Sequence, residues 1–227
     1  MLDSRLLKIA GLVPVGAKVA DIGTDHALLP IYLIESKIAT KVIASDVKMG
    51  PLSAARKNID KSMFGDKIDL RLSNGLDEIC GDEVDTVIIS GMGGELIADI
   101  ISRAIWLRDS KFRLILQPMS SAMELRKFLS ENNFKINHEH AVLSVGRIYS
   151  VIEAGYTGKE CRNDPLFCYI GGLSDNVTKD ALVYIKRVRR ILDKRSHDIL
   201  DVENKQKEYN ELISVVLQLD RIILGND

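Results

Sequence analysis

The sequence predicts an α/β fold: a doubly wound, mostly parallel sheet that ends in an antiparallel hairpin and is followed by a pair of helices. Three observations carry this. Five short apolar runs alternate with helix-like segments through the first part of the chain. Two longer strand-like stretches follow, with only Val145 and Gly146 between them. Finally, residues 176–224 contain neither proline nor glycine, so long helices can run through them without a break.

Residues 2–12 read as an amphipathic helix, ended by Gly11 and the turn residues Pro14 and Gly16. The apolar runs lie at 18–22, 41–46, 67–72, 86–90 and 113–117. All but the third, which alternates, are nearly continuous, as expected of parallel strands covered on both faces. Helices are expected near 27–36, 50–63, 94–105 and 121–132, and the alternation implies right-handed crossovers. Phe134–Ser144 and 147–154 pair as an antiparallel hairpin, because so short a connection excludes another crossover. Five parallel strands closed by such a hairpin are the arrangement of the Rossmann-like S-adenosylmethionine methyltransferases, an analogy of fold that does not by itself settle function.

The stretch 156–165 reads as a linker. Beyond it, Leu182, Ile185, Val188, Leu192 and Ile199 mark one apolar stripe, and Leu212, Val216, Leu219 and Ile223 mark another. Glu203-Asn204-Lys205 would turn the chain between them, giving an antiparallel, coiled-coil-like helical hairpin. The expected division is an α/β catalytic domain over 1–160 and a helical domain over 174–227.

Composition excludes several classes. With 46% hydrophobic and 28% charged residues in 227, the chain is an ordinary globular protein with enough length for a proper core. A net charge of −1 announces no nucleic-acid partner, which leaves only a local basic face. No apolar run approaches the roughly 18 residues of a membrane span, and the first residues lack the layout of a signal peptide. Cys80, Cys161 and Cys168 form no Cys-x-x-Cys pair and read as reduced thiols of a cytoplasmic protein. His138 and His140 share a strand face but lack a third ligand, so no metal is expected.

The chemistry gathers at strand ends. Asp21-Ile-Gly23 closes the first strand at the carboxyl edge, where open α/β sheets bind ligands, and Gly23 permits a tight turn. Asp46 closes the second strand 23 residues further on, the distance of an acid that holds ribose hydroxyls. A dinucleotide is excluded: the pyrophosphate turn needs G-x-G-x-x-G, and here it reads G-T-D-H-A-L. Asp25 would repel phosphates but suits a positively charged sulfonium. Asn74 and Gly75 follow the third strand, and Gly91 and Met92 the fourth, at the same edge.

Taken in order, ADIGTDHALLP, SNGL, ISGMGGELI, LILQP and GRIYSVIEAG resemble the bacterial tRNA adenine N1-methyltransferases that act on the adenine at position 22. The resemblance covers nearly the whole chain. It implies a Rossmann-like class I methyltransferase domain, S-adenosylmethionine as methyl donor and tRNA as substrate. Asp21, Gly23, His26, Asp46, Asn74, Gly75, Gly91 and Met92 are then expected to hold the cofactor, and Asp25, Gln117 and Pro118 to serve the reacting adenine. Adenine N1 carries a free lone pair, so alignment and stabilisation of developing positive charge suffice. Asp25 is the candidate carboxylate for the adenine amino group, with His26 either orienting it or stacking on a base. Two places depart from the expected pattern: SNGL has Asn74 where the class often has an acid, and Met119-Ser120 follow LILQP in place of more polar residues.

Lys186, Arg187, Arg189, Arg190, Lys194 and Arg195 on the first hairpin helix become the expected phosphate-contacting surface; a merely solvated charged face is the plain alternative. A methyltransferase for a small molecule or protein, and a cofactor-free RNA-binding scaffold, are the competing functions. Intact Asp21, Gly23 and Asp46 weigh against the scaffold. A monomer is expected.

Overall fold

The computed structural model describes residues 2–226. Its seven strands are β1 (Ala17–Ile22), β2 (Ala39–Asp46), β3 (Ile68–Leu72), β4 (Thr86–Gly93), β5 (Arg113–Ser120), β6 (Phe134–Ser144) and β7 (Arg147–Tyr156). They form one sheet in the order β3-β2-β1-β4-β5-β7-β6. Pairing is parallel from β3 to β5, and antiparallel where β7 joins β5 and β6. The order reverses between β1 and β4, which opens a crevice above their carboxyl ends.

Around the sheet lie α1 (Ser4–Leu12), α2 (Leu28–Glu35), α3 (Met49–Lys61), α4 (Gly94–Arg103) and α5 (Ala122–Glu131). The continuous apolar runs have a plain cause. Val87, Ile89, Leu114 and Leu116 point to the face covered by α4 and α5, while Val19, Val42, Ile88 and Ile115 point to the face covered by α1, α2 and α3. Both faces are dry, so alternation has nothing polar to show. In the β6–β7 turn Val145 (φ 47°) and Gly146 (φ 70°) are both left-handed, as a two-residue hairpin turn requires.

The structure departs from expectation in two places. β4 and β5 run past Ser90 and Gln117 to Gly93 and Ser120, with register irregularities at Met92 and Gly93. The stretch after β7 also contains a short helix, α6 (Pro165–Ile170), capped by Asp164 accepting from Phe167 N, and a 3-10 turn at Gly171–Ser174. α7 (Lys179–Ile199) and α8 (Gln206–Leu224) form the expected hairpin, with Ile185, Leu192 and Ile199 packed on Leu212, Val216 and Leu219.

The hairpin is docked on the sheet. Ala141 and Ile148 of the β6–β7 pair share a small core with Leu173 and Ala181, and Leu143 N donates to Asp180 Oδ2 at 3.0 Å. Beside this core Arg126 is fully buried, donating to Glu139 Oε1 at 2.6 Å, to the Cys168 and Tyr169 carbonyls, and to the Tyr184 hydroxyl. Breaking such a pair by removing one partner costs about 3–5 kcal/mol, so α5, β6, α6 and α7 are held together firmly. Among the described residues no helix is long and apolar enough to cross a membrane, and no group of His, Cys, Asp and Glu could hold a metal ion.

Candidate functional site

The turn after β1 is built from backbone first. Gly23 is left-handed (φ 76°), and the N–H groups of Gly23 and Thr24 both donate to Ser45 O at 2.8 Å, tying the end of β1 to the end of β2. Further glycines would follow in a pyrophosphate turn. Here His26 (φ 58°) and Ala27 (φ 53°) take the left-handed conformation instead, at about 1–2 kcal/mol each for residues with a Cβ. Burial of Ala27 and the bond from Asn58 Nδ2 to His26 O at 2.9 Å offset that strain. The result turns Asp25 outward, 84% exposed, with His26 Nε2 at 3.2 Å from its carboxylate. Such strain concentrates where a ligand or substrate is handled.

Behind this turn Asp21 is 4% exposed and has no cation partner among the described residues. Burial pushes its carboxyl up to about 6, and the neighbouring Thr24 hydroxyl pulls it back only in part. That hydroxyl makes no hydrogen bond of sound geometry, and neither does the buried Ser45 hydroxyl. Buried polar atoms are normally paired, so an acid and two hydroxyls without protein partners of sound geometry at adjoining strand ends form a donor set suited to a polar ligand.

Asp46 is half-buried; its Oδ1 accepts from Lys48 N at 2.8 Å, which leaves the other oxygen available. Asn74 is exposed at the same edge. Gly75 also has a packing cause. A Cβ there would lie 2.9 Å from two Ile100 carbons, so packing against α4 requires this left-handed glycine. Gly94, the last glycine of the GMGG run, is likewise a packing residue, since a Cβ would collide with the Ser121 carbonyl.

Gly91 and Met92 close the site from the β4 side. The Met92 methyl occupies the space that a Cβ on Gly23 would need, so the two loops touch. Gly91 N donates to Gln117 Oε1 at 3.2 Å. Gln117 is fully buried, its Oε1 also accepts from Arg5 Nη1 at 2.7 Å, and its Nε2 donates to Pro118 O at 2.8 Å. Both ends of the amide are engaged, so Gln117 fastens β4, β5 and α1 together, and it does not offer a free face to a base. Pro118 is buried beneath the same edge. Arg5 escaped the sequence reading because a lone arginine on an amphipathic helix carries no local signal.

A cleft of about 760 Å³ opens between the end of β5, the β6–β7 turn and α7, lined among others by Pro118, Met119, Arg147, Tyr149, Arg187 and Arg190. The six α7 cations expected to meet phosphates divide. Lys186, Arg187 and Arg190 line this cleft, with Arg187 also donating to Ile148 O at 3.2 Å. Lys194 is exposed. Arg189 instead pairs with Asp220 at 2.9 Å and Asp193 at 3.1 Å, and Arg195 with Glu208 at 2.6 Å. Those two guanidiniums tie α7 to α8.

Comparison with known proteins adds to this geometry. The chain matches the methyltransferase-domain family over residues 2–152. It is 34% identical over 172 residues to a tRNA (adenine(22)-N(1))-methyltransferase of Bacillus subtilis, covering 76% of this chain and 72% of that one. The crystal structure of the B. subtilis m1A22 tRNA methyltransferase TrmK superposes with a TM-score of 0.86 at 28% identity, over 98% of this chain and 99% of that one. M. capricolum TrmK, solved with the cofactor product S-adenosylhomocysteine, superposes at 0.79 with 27% identity, over 98% of each chain.

Proposed function

The chain belongs to the tRNA (adenine(22)-N(1))-methyltransferase family, and from that premise we propose how its residues divide the work. The protein is a methyltransferase that modifies N1 of an adenine in tRNA, at position 22, with S-adenosylmethionine as cofactor. The observation that carries the reading at residue level is the buried cluster of the Asp21 carboxyl with the Thr24 and Ser45 hydroxyls beneath a left-handed turn without a phosphate cradle. A cofactor with ribose hydroxyls, positive charge and no phosphate suits that donor set.

The cofactor supplies an electrophilic methyl group when bound. Asp21 and the Thr24 hydroxyl hold its charged end, the free oxygen of Asp46 takes the ribose hydroxyls, and Asn74 meets the adenine edge. Gly23, Gly91 and Met92 form the wall, where backbone and a methyl group allow close approach. The target N1 lone pair is free, so no group of the chain has to remove a proton. Asp25, exposed at the mouth and steadied by His26, accepts from the target amino group and stabilises the positive charge that develops on the base. Arg190, with Lys186, Arg187 and Lys194, contacts tRNA phosphates beside the cleft.

In this reading residues 1–160 are the catalytic domain and 174–227 a helical domain that presents the RNA. The protein works as a cytoplasmic monomer. The test is to treat unmodified tRNA with purified protein and methyl-labelled S-adenosylmethionine, then map the label. One 1-methyladenine at position 22 is expected; label in small metabolites or protein but none in tRNA overturns the reading.

A further inference from the structure

We propose that the cleft between the end of β5 and α7 takes a nucleotide of tRNA beside the target adenine, its base on the apolar wall of α7 and its phosphates on Arg147 and Arg190. The inference rests on the tRNA reading above. N1 lies on the pairing edge of adenine, so the target has to leave the base stack before it can be methylated, and a neighbour then loses a stacking partner. A protein surface that receives this neighbour lowers the cost of opening the RNA. Such a surface needs an apolar wall for the base and cations, without acids, for the phosphates.

The cleft meets these needs. Its volume of about 760 Å³ lies within the range of clefts that take a small molecule. On α7, Val183, Arg187, Arg190 and Ile191 recur at intervals of three and four, so they face it together. Val183 and Ile191 are about half exposed, as are Met119 and Leu143 on the sheet side. The core of the helical hairpin uses a different stripe, with Ile185, Leu192 and Ile199, so Val183 and Ile191 are not needed to hold α7 to α8. Among the described residues that line the cleft, Arg147, Lys186, Arg187 and Arg190 are cations and none is an acid, in a chain whose net charge is −1. Arg147 and Arg190 form no ion pair among the described residues, unlike Arg189 and Arg195. Ser150 of β7 also lines the cleft; it is 2% exposed and its hydroxyl has no protein partner of sound geometry, which suits it to a base edge or a ribose hydroxyl.

The cleft begins beside the cofactor loop. Met92 pairs with Pro118 and Gly93 with Ser120 across neighbouring strands, which lie about 5 Å apart. The next residue, Ser121, is left-handed (φ 51°) despite its Cβ, and its carbonyl is packed so closely on Gly94 that a Cβ there would collide with it. Strained backbone therefore marks this rim of the cleft as it marks the cofactor turn at His26 and Ala27.

The experiment measures, by filter binding, the affinity of the full chain, and of a variant with Val183→Asn and Ile191→Asn together, for three RNAs: intact tRNA and tRNAs with an abasic nucleotide on one or the other side of position 22. The full chain should bind one of the two abasic tRNAs about five- to a hundredfold more weakly than intact tRNA, the worth of one stacked base. In the variant that ratio should shrink to within about twofold, mainly because intact tRNA binds more weakly. Each ratio is taken on one protein, so any loss of stability cancels, and an effect of the lost base on the fold of the RNA is common to both proteins. Leu217→Asn alters an equally exposed apolar residue of α8 outside the cleft and should keep the full ratio. Indifference of the full chain to both abasic nucleotides would overturn the proposal, as would a ratio that survives in the double variant or is lost equally in Leu217→Asn. In each of these cases methylation at position 22 would leave the function above standing. A chain that methylates no tRNA would strike that function and this inference with it.

Discussion

Replacing Asp21 with asparagine should abolish a pH dependence of stability whose size follows from burial. In the folded chain this carboxyl is 4% exposed, faces no cation among the described residues and is pushed up to about 6, against an ordinary 3.8. Between these two values the folded chain keeps a proton that the unfolded chain has released, so stability falls as pH rises through the window. From 3.8 to about 6, at about 1.4 kcal/mol per pH unit, the loss is about 3 kcal/mol and is complete near pH 7. The assay is urea unfolding of both proteins without cofactor, from about pH 4 to about pH 7.5, reading the difference in unfolding free energy at each pH. That difference cancels every other titrating group, and the unmet hydrogen bonds of the new amide enter as a constant. It should move by about 2.5 kcal/mol against the wild type across the range, because part of the loss lies below pH 4. A difference that stays level within about 0.5 kcal/mol would refute the reasoning, because a desolvated acid cannot be indifferent to its proton. The same acid should make cofactor affinity rise about tenfold between pH 5 and pH 7 and level off above, since a cationic ligand favours the ionised form.

Asp25→Ala should leave cofactor affinity within a few-fold yet slow single-turnover methylation by about a hundredfold or more, as loss of one electrostatic stabiliser does; collapse of cofactor binding would reassign this residue. Asp46→Ala should weaken calorimetric cofactor binding by about 1–3 kcal/mol, and unchanged affinity would remove it from the site. Charge reversal should separate the two neighbouring arginines. Arg190→Glu should weaken tRNA binding and flatten its log–log salt dependence by about 0.7–0.9 per lost phosphate contact, with no change in melting temperature. Arg189→Glu should lower the melting temperature instead, because it faces Asp193 and Asp220; equal effects of the two on the salt slope would count against the division.

By itself the sequence determined the strands, because continuous apolar runs follow from burial on both faces, and the hairpin, because Val145 and Gly146 leave room for nothing longer. It also placed Asp21, Gly23 and Asp46 at the ends of β1 and β2, because a strand end is read from a few neighbouring residues. Only the tertiary structure decided which side chains are free to act. Gln117 stands at the end of β5 where a base-facing residue is expected, yet Arg5, 112 positions away, and Gly91 both donate to its oxygen. Arg189 and Arg190 are adjacent and chemically alike, yet Asp220 engages one while the other lines the cleft. Gly75 must lack a side chain because of Ile100 on α4, a contact no local pattern shows, and the docking of the helical hairpin hangs on a buried Arg126–Glu139 pair that no periodicity marks. Secondary structure follows from contacts a few residues apart, whereas the availability of a charge or an amide depends on partners that only the folded chain brings within about 3 Å.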